Sequence, residues 1–172
     1  MIVALHGPAG SGKSTLAAAF EAHGFRSLCF AAPIKRICAE VWGFTAHDLD
    51  GPSAAREAVD PAWGITPRKA LQTLGSEWGR ALHPDVWVVA WARAFQRLPR
   101  GDVVVPDMRF PNEDTFLRSL GAQMVLVEAE PSRAIVRAHE SENGLPGPWH
   151  WTVPWTTPAD RRDRVARYLD RN

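Results

Sequence analysis

The sequence predicts an α/β fold in three layers, a parallel sheet with helices on both faces. Three observations predict it. Short apolar strand-like runs alternate with helical runs through most of the 172 residues, which is the pattern of βαβ units. The first such run, "IVALH" at 2–6, passes through a glycine-rich turn straight into a helical pattern. Residues at roughly 33–98 show helical patterns only. That block is too long for a simple crossover and reads as an insertion on one edge of the sheet.

The elements follow in order. After the strand at 2–6 comes "KSTLAAAFEAHG", an alanine-rich helix stopped by Gly24. "RSLCF" at 26–30 is a second strand, and "PIKRICAEVWGF" a helix. A loop rich in Gly, Pro and Asp is expected around 47–64, then helices over 66–82 and 84–98. Strands are expected at 102–107 and 123–129, with a helix over 112–120 between them. A short helix follows 129, then "GLPGPWHWTVPWTTP" as a Pro/Gly/Trp loop, and an arginine-rich helix at 158–171. The whole reads as a single domain over 1–172, with a short lid at roughly 131–156.

Composition narrows the classes. Apolar residues make up 45%, charged residues 23%, and the net charge is +1, so nothing calls for a nucleic-acid or membrane partner. No run approaches the length of a membrane span, and "MIVALHG" carries no basic leader, so it is expected to start the fold directly. Cys29 and Cys38 form neither a CxxC nor a His/Cys cluster, which favours a reduced, cytoplasmic setting. Seventeen of the 20 basic residues are Arg; the three lysines are Lys13, Lys35 and Lys69.

"GPAGSGKS", Gly7 to Ser14, fits G-x-x-x-x-G-K-[ST] between a strand and a helix, the context that motif requires. Backbone N–H groups of the turn and the helix N-terminus make a concave anion site. Gly7, Ala9, Gly10, Ser11, Gly12, Lys13, Ser14 and Thr15 are therefore candidate ATP-binding residues. Lys13 would reach the β- and γ-phosphates, and the Ser14 hydroxyl would ligate Mg²⁺. No N/T-K-x-D guanine motif is present, and no acidic pair of the motor-ATPase type follows the strand "VVV".

That strand instead leads into "PDMRFPNE". Ligands of open α/β sheets bind beyond the carboxyl ends of strands, so Asp107 and Arg109 are candidate catalytic residues. Asp107 would organise Mg²⁺ water or accept a proton, and Arg109 would grip a second phosphate; an Asp107–Arg109 structural pair is the rival reading. Asn112 reads as the cap of the next helix, with Glu113 and Asp114 in its first turn. In "ITPRKALQTLGSEWGR", Arg68 and Lys69 place positive charge at the positive end of a helix dipole, which a bound anion would relieve. Arg68, Gln72, Gly75 and Gly79 share one stripe. The two glycines imply close approach of a ligand or a neighbouring backbone. Arg68, helped by Arg80, is expected to bind an acceptor phosphate; two solvated surface residues is the alternative. Arg133 and Arg137 recur at helical spacing and could close over transferring phosphates. His139 and Glu142 lack a third ligand for a metal site.

With these pieces in hand, the chain resembles the phage-type deoxynucleoside monophosphate kinases. "GPAGSGKST", "FAAPIK", "TPRKALQTLGSEWGR", "HPDVWV", "DMRFPNE" and "HESE" occur in that family's order over residues 5–142. The resemblance implies a P-loop NTPase fold and transfer of the ATP γ-phosphoryl group to a deoxynucleoside monophosphate, with Mg²⁺. It also implies that Lys35, Arg68, Gln72, Arg80, Asp85, Trp87, Asp107, Arg109 and Glu113 face the acceptor or the reacting phosphates, and that the helical insertion is acceptor-binding. A phage-encoded chain would work in the host cytoplasm. Asp85 could otherwise cap the helix after Pro84. Two other classes fit less of the pattern: a kinase for phosphomevalonate or dephospho-coenzyme A, and a non-catalytic nucleotide-binding module. The tail departs from the family, because Trp151 and Trp155 stand about where an Asp and an Asn are expected. Trp78 and Trp87 either stack on the acceptor base or pack the core. Trp149, Trp151 and Trp155 close either a lid or a homodimer contact. The last helix, with Asp interleaved among its arginines, reads as a solvated, salt-bridged surface helix.

Overall fold

The computed structural model describes residues 1–130 and 144–171. The chain runs β1 (Ile2–His6), α1 (Lys13–Ala22), β2 (Arg26–Ser27), α2 (Ala32–Trp42), α3 (Ala46–Asp50), α4 (Ser53–Glu57) and α5 (Pro67–Gln72). A π-helical stretch (Thr73–Arg80) continues α5. Then follow α6 (Val86–Arg97), β3 (Val103–Val105), α7 (Pro111–Ser119), β4 (Gln123–Val127), β5 (Trp151–Val153) and α8 (Pro158–Leu169). The chain divides into two compact units, Met1–Cys29 with Phe95–Asn172, and Phe30–Ala94. Among the described residues no helix is long and apolar enough to cross a membrane.

The first unit holds a parallel sheet in the order β2-β3-β1-β4-β5. The three valines of β3 are all buried, as strands covered on both faces must be. Val3, Leu5, Val104, Val125, Val127 and Val153 pack one face against Leu16 and Phe20 of α1 and Val165 of α8. Their neighbours Ala4, Val103, Val105 and Met124 point the other way and are equally buried. Because every strand is parallel, the ends of β1 and β3 that carry the glycine loop and Asp107 open on the same edge.

Three sequence expectations change in this unit. The strand expected at 26–30 is confined to Arg26–Ser27, followed by one further bond from Leu28 N–H to the Val104 carbonyl. The Pro/Gly/Trp loop contains an edge strand, β5, so residues 151–153 of the expected lid belong to the sheet. Val153 is fully buried and Trp151 stacks on Tyr168 with 4.6 Å between ring centroids. Three residues flanked by prolines are too short a run to register as a strand by periodicity. The last helix is not simply a solvated face either: Arg161 and Val165 are buried, because α8 lies on α1 and the sheet core. The short helix expected after 129 and the start of the lid fall at 131–143, outside the described residues.

The second unit is helical, around a core of Ile34, Cys38, Phe44, Leu49, Ala70 and Trp87. The loop expected at 47–64 carries two short helices. Thr45 and Asp48 form a capping box that starts α3: the Thr45 hydroxyl accepts from Asp48 N–H at 3.3 Å and the Asp48 carboxylate accepts from Thr45 N–H at 2.8 Å. The single helix expected over 66–82 is α-helical to Gln72, widens to i→i+5 bonding over Thr73–Arg80 and returns to α-helix at 81–82. The stripe Arg68–Gln72–Gly75–Gly79, drawn at α spacing, therefore does not run straight through.

Candidate active site

β1 delivers its last residue, His6, directly into the glycine loop. The Val127 carbonyl occupies the space a Cβ on Gly7 would need, and the Arg161 guanidinium occupies that space at Gly12. Gly12 also sits at φ +88°, where only glycine is unstrained. Ser11 N–H donates to the Pro8 carbonyl at 3.2 Å and closes the turn. Lys13 is buried, its Nζ folded back to donate to the carbonyls of Gly7 (2.5 Å) and Pro8 (2.8 Å). Ser14 is exposed and Thr15 half-buried in the first turn of α1; Ala9 is half-buried and Gly10 exposed. That first turn holds no acidic residue, and the buried Ser11 hydroxyl has no hydrogen-bond partner. A phosphate chain suits this cradle: it offers backbone donors, a helix N-terminus, a lysine ammonium and an unsatisfied hydroxyl. Ser14 and Asp107 offer hard oxygen ligands of the kind Mg²⁺ takes alongside substrate phosphates.

Arg161 was missed by sequence reasoning. Its Nη1 and Nη2 donate to the carbonyls of Gly12 (2.6 Å) and Ser11 (2.7 Å), and its Nε to Thr156 (3.3 Å). Burial lowers its pKa from the ordinary guanidinium value. α8 can place it there because the Thr157 hydroxyl caps the helix by accepting from Asp160 N–H at 3.3 Å. The Asp160 carboxylate takes hydrogen bonds from Thr156 and Thr157, which hold its pKa below the usual carboxylate value.

Past β3, Met108 turns into the core and is fully buried, while Asp107 and Arg109 on either side are half-buried. Glu113 is buried, and its Oε2 accepts from the backbone N–H of Arg109 at 2.7 Å and of Phe110 at 3.1 Å. It thereby fixes the backbone that carries Arg109. Asn112 is not the helix cap: α7 starts at Pro111, with Phe110 in the cap position, and Asn112 Oδ1 accepts from Glu113 N–H at 3.1 Å. Proline is pre-shaped for the first helical position and lacks the N–H that would go unpaired there, so the start moves one residue earlier.

His6 was also missed. Its Nδ1 donates to the Met108 carbonyl at 3.1 Å, its Nε2 accepts from Leu145 N–H at 3.2 Å, and its ring stacks on Trp149 at 5.3 Å. Burial is the largest of the effects that lower its pKa, and the two hydrogen bonds fit a neutral ring with the proton on Nδ1. The ring ties the glycine-loop end of β1 to the peptide between Asp107 and Arg109 and to the chain at Leu145. The only sequence signal is one polar residue ending an apolar run.

In the second unit, Lys35 pairs with Asp50, and Arg68 pairs through Nε with Glu57 and donates to the Ser53 hydroxyl at 3.2 Å. Lys69 pairs with Glu77 at 2.9 Å. The positive charge at the start of α5 is thus offset by carboxylates of the same unit. Thr66 caps α5, accepting from Lys69 N–H at 3.1 Å. Arg80 donates to the Pro84 carbonyl at 3.1 Å, and Asp85 N–H donates to His83 Nδ1 at 3.1 Å. Gln72 is half-buried and Trp78 half-exposed. Trp87 is a correction: it is a core residue, 5% exposed, rather than a platform for a base. Its Nε1 donates to the Gly75 carbonyl at 2.7 Å and its ring covers Gly79. The close neighbour at Gly79 is this indole, whereas at Gly75 it is Ile34. Arg133 and Arg137, with His139 and Glu142, lie outside the described residues.

No family model matches the chain. A protein named as a deoxynucleotide monophosphate kinase in Acanthamoeba polyphaga mimivirus is 31% identical over 156 residues, covering 83% of this chain and 80% of that protein. The deoxynucleoside-5′-monophosphate kinase of Escherichia phage T5 is 36% identical over 89 residues, covering 48% of this chain and 36% of that enzyme. The crystal structure of TT1252 from Thermus thermophilus superimposes with a TM-score of 0.55 at 24% identity over 98% of this chain and 95% of that one, a likeness of fold. With a glycine cradle at the head of its first helix and a relative matched along most of both chains, this chain belongs to the deoxynucleoside monophosphate kinase family.

Proposed function

We propose that the chain transfers the γ-phosphoryl group of ATP to a deoxynucleoside 5′-monophosphate, giving ADP and the deoxynucleoside diphosphate. The observation that carries this reading is the cradle itself: Lys13 is buried in a glycine loop, its Nζ donating to the Gly7 and Pro8 carbonyls, beside a buried Ser11 hydroxyl that has no hydrogen-bond partner. Gly7, Ala9, Gly10, Ser11, Gly12, Ser14 and Thr15 surround the ATP phosphates. Lys13 leaves its carbonyls for the β- and γ-phosphate oxygens. An oxygen of the acceptor phosphate attacks the γ-phosphorus as the bond to the β–γ bridging oxygen breaks, and the electron pair leaves with ADP. Catalysis of this kind is positioning and charge neutralisation. Mg²⁺, held by the Ser14 hydroxyl and through water by Asp107, would screen the phosphate charges when bound.

A phosphate monoester has its second pKa near 6, so the acceptor is already mostly dianionic at neutral pH. That removes the need for a strong base and favours the water-holding role for Asp107. Arg109, its backbone fixed by Glu113, takes charge from the moving phosphoryl, and Arg133 and Arg137 share that task. Lys35, Arg68, Gln72, Arg80 and Asp85 make the second unit acceptor-binding, with the acceptor phosphate taking over from the Glu57 and Asp50 carboxylates that now hold Arg68 and Lys35.

ADP release coupled to a spectrophotometric readout, screened over all dNMPs and NMPs together with phosphomevalonate and dephospho-coenzyme A, tests the reading. The expected result is ADP production that depends on a dNMP. Turnover with only one of the other acceptors, or ATP binding without turnover on any of them, would reject it.

A further inference from the structure

Among the described residues Arg161 is the one arginine that is buried, at 3% exposure. Each of its three hydrogen bonds goes to a backbone carbonyl, at Gly12, Ser11 and Thr156, and none goes to a carboxylate. A buried guanidinium satisfied by dipoles but not neutralised is costly to keep. Its charge is compensated only if an anion comes close. The two carbonyls that its fork holds are those of adjacent peptides in the glycine loop. In a trans peptide the C=O and N–H point in opposite directions. Holding the Ser11 and Gly12 carbonyls on one side therefore turns the N–H groups of Gly12 and Lys13 to the other, where the loop binds phosphate. Gly12 leaves the room this requires, since a Cβ there would overlap the guanidinium.

We infer that Arg161 is a positioning residue for ATP: from the C-terminal helix it locks the two loop peptides that bind the phosphates and supplies the positive charge beneath them. This rests on the reading of the glycine loop as an ATP site. It assigns a role in phosphate binding to a helix that has no part in the loop motif. A planar fork can hold two carbonyls at once, whereas an ammonium on a flexible stem cannot hold them in that fixed geometry.

Arg161→Lys keeps the charge and loses the fork, and Arg161→Met loses both. Calorimetric Kd values for ATP, steady-state kcat and KM for each substrate, and Tm would be measured for both variants and the parent. The expected result is a Tm close to the parent for Arg161→Lys, ATP affinity weaker by about tenfold or more, and a dNMP KM within about twofold. Arg161→Met should bind ATP more weakly still, and its ATP affinity should respond less to salt than that of Arg161→Lys. ATP binding within about twofold of the parent in both variants would overturn the inference while leaving the ATP reading of the loop intact. Failure of both variants to fold would also overturn it, by making Arg161 a folding residue. An unaltered chain that does not bind ATP would overturn the reading of the loop and this inference together.

Discussion

Two cations are spent on the carbonyls of one loop, Lys13 on those of Gly7 and Pro8, Arg161 on those of Ser11 and Gly12. The two residues separate the legible from the illegible in this sequence. Lys13 announces itself, because its spacing from Gly7 and its place between strand and helix form a motif with a mechanism. Arg161 is one arginine among several in a helix laced with aspartates, and only the packing of α8 on α1 reveals that it is buried. His6 is similar: a histidine ending an apolar strand carries no pattern, yet its ring bridges Met108 and Leu145. Its lowered pKa has a definite consequence. The unfolded chain binds a proton at His6 near pH 6.5 and the folded one only at lower pH, so the stability it contributes is complete above about 6.5 and is lost as pH falls through the folded value. Lys13 and Arg109 push the same way as burial, whereas the Met108 hydrogen bond and Asp114 oppose it. Urea midpoints of the parent and of His6→Asn, compared at pH 7.5 and 5.5, should show the parent losing more stability on acidification; equal losses would contradict the buried neutral ring.

At the scale of the element, the π-helical stretch and Trp87 reverse a rule of thumb. Replacing a helical glycine by alanine ordinarily stabilises, by about 1 kcal/mol. At Gly79 a Cβ would run into the Trp87 indole and the Leu74 carbonyl, so Gly79→Ala should destabilise by about 1–3 kcal/mol instead, measured by chemical denaturation with helix content unchanged. Gly75→Ala is the control: its Cβ would meet only Ile34 Cδ1, at 3.3 Å, and it should cost much less. Trp87→Phe removes the donor to the Gly75 carbonyl and should cost about 1–3 kcal/mol from that lost bond alone. The glycines did signal a close approach; what the sequence could not say is that side chains, the Trp87 indole at Gly79 and Ile34 at Gly75, make it rather than a ligand. The element boundaries that went wrong have similar causes. β5 is three residues among prolines, and α3 hides its capping box, Thr45 with Asp48, inside a run that reads as loop.

Taken whole, the molecule keeps its glycine loop in the unit with the parallel sheet and most of its expected acceptor residues in the helical unit Phe30–Ala94. The sheet was legible because β1, β3 and β4 are short apolar runs of three to five residues, too short for helices and set off by turn residues. The cradle was legible from its motif. Arg68, helped by Arg80, was legible from the positive charge at the start of a helix, whereas Lys35, Asp85 and Trp87 could be named only through a family likeness. A division of labour predicts how variants behave: Arg68→Ala should raise the dNMP KM by about tenfold, the worth of a charged hydrogen bond, and leave the ATP KM unchanged. A change confined to the ATP KM would place Arg68 on the wrong substrate. The most direct test of the account follows the phosphoryl group itself. With ATP labelled in its γ-phosphate, Mg²⁺ and a dNMP, the chain should move the label to the β-position of the dNDP, and Lys13→Met should slow that transfer by about a hundredfold or more. Label that stays in ATP, or appears only as inorganic phosphate, would contradict it.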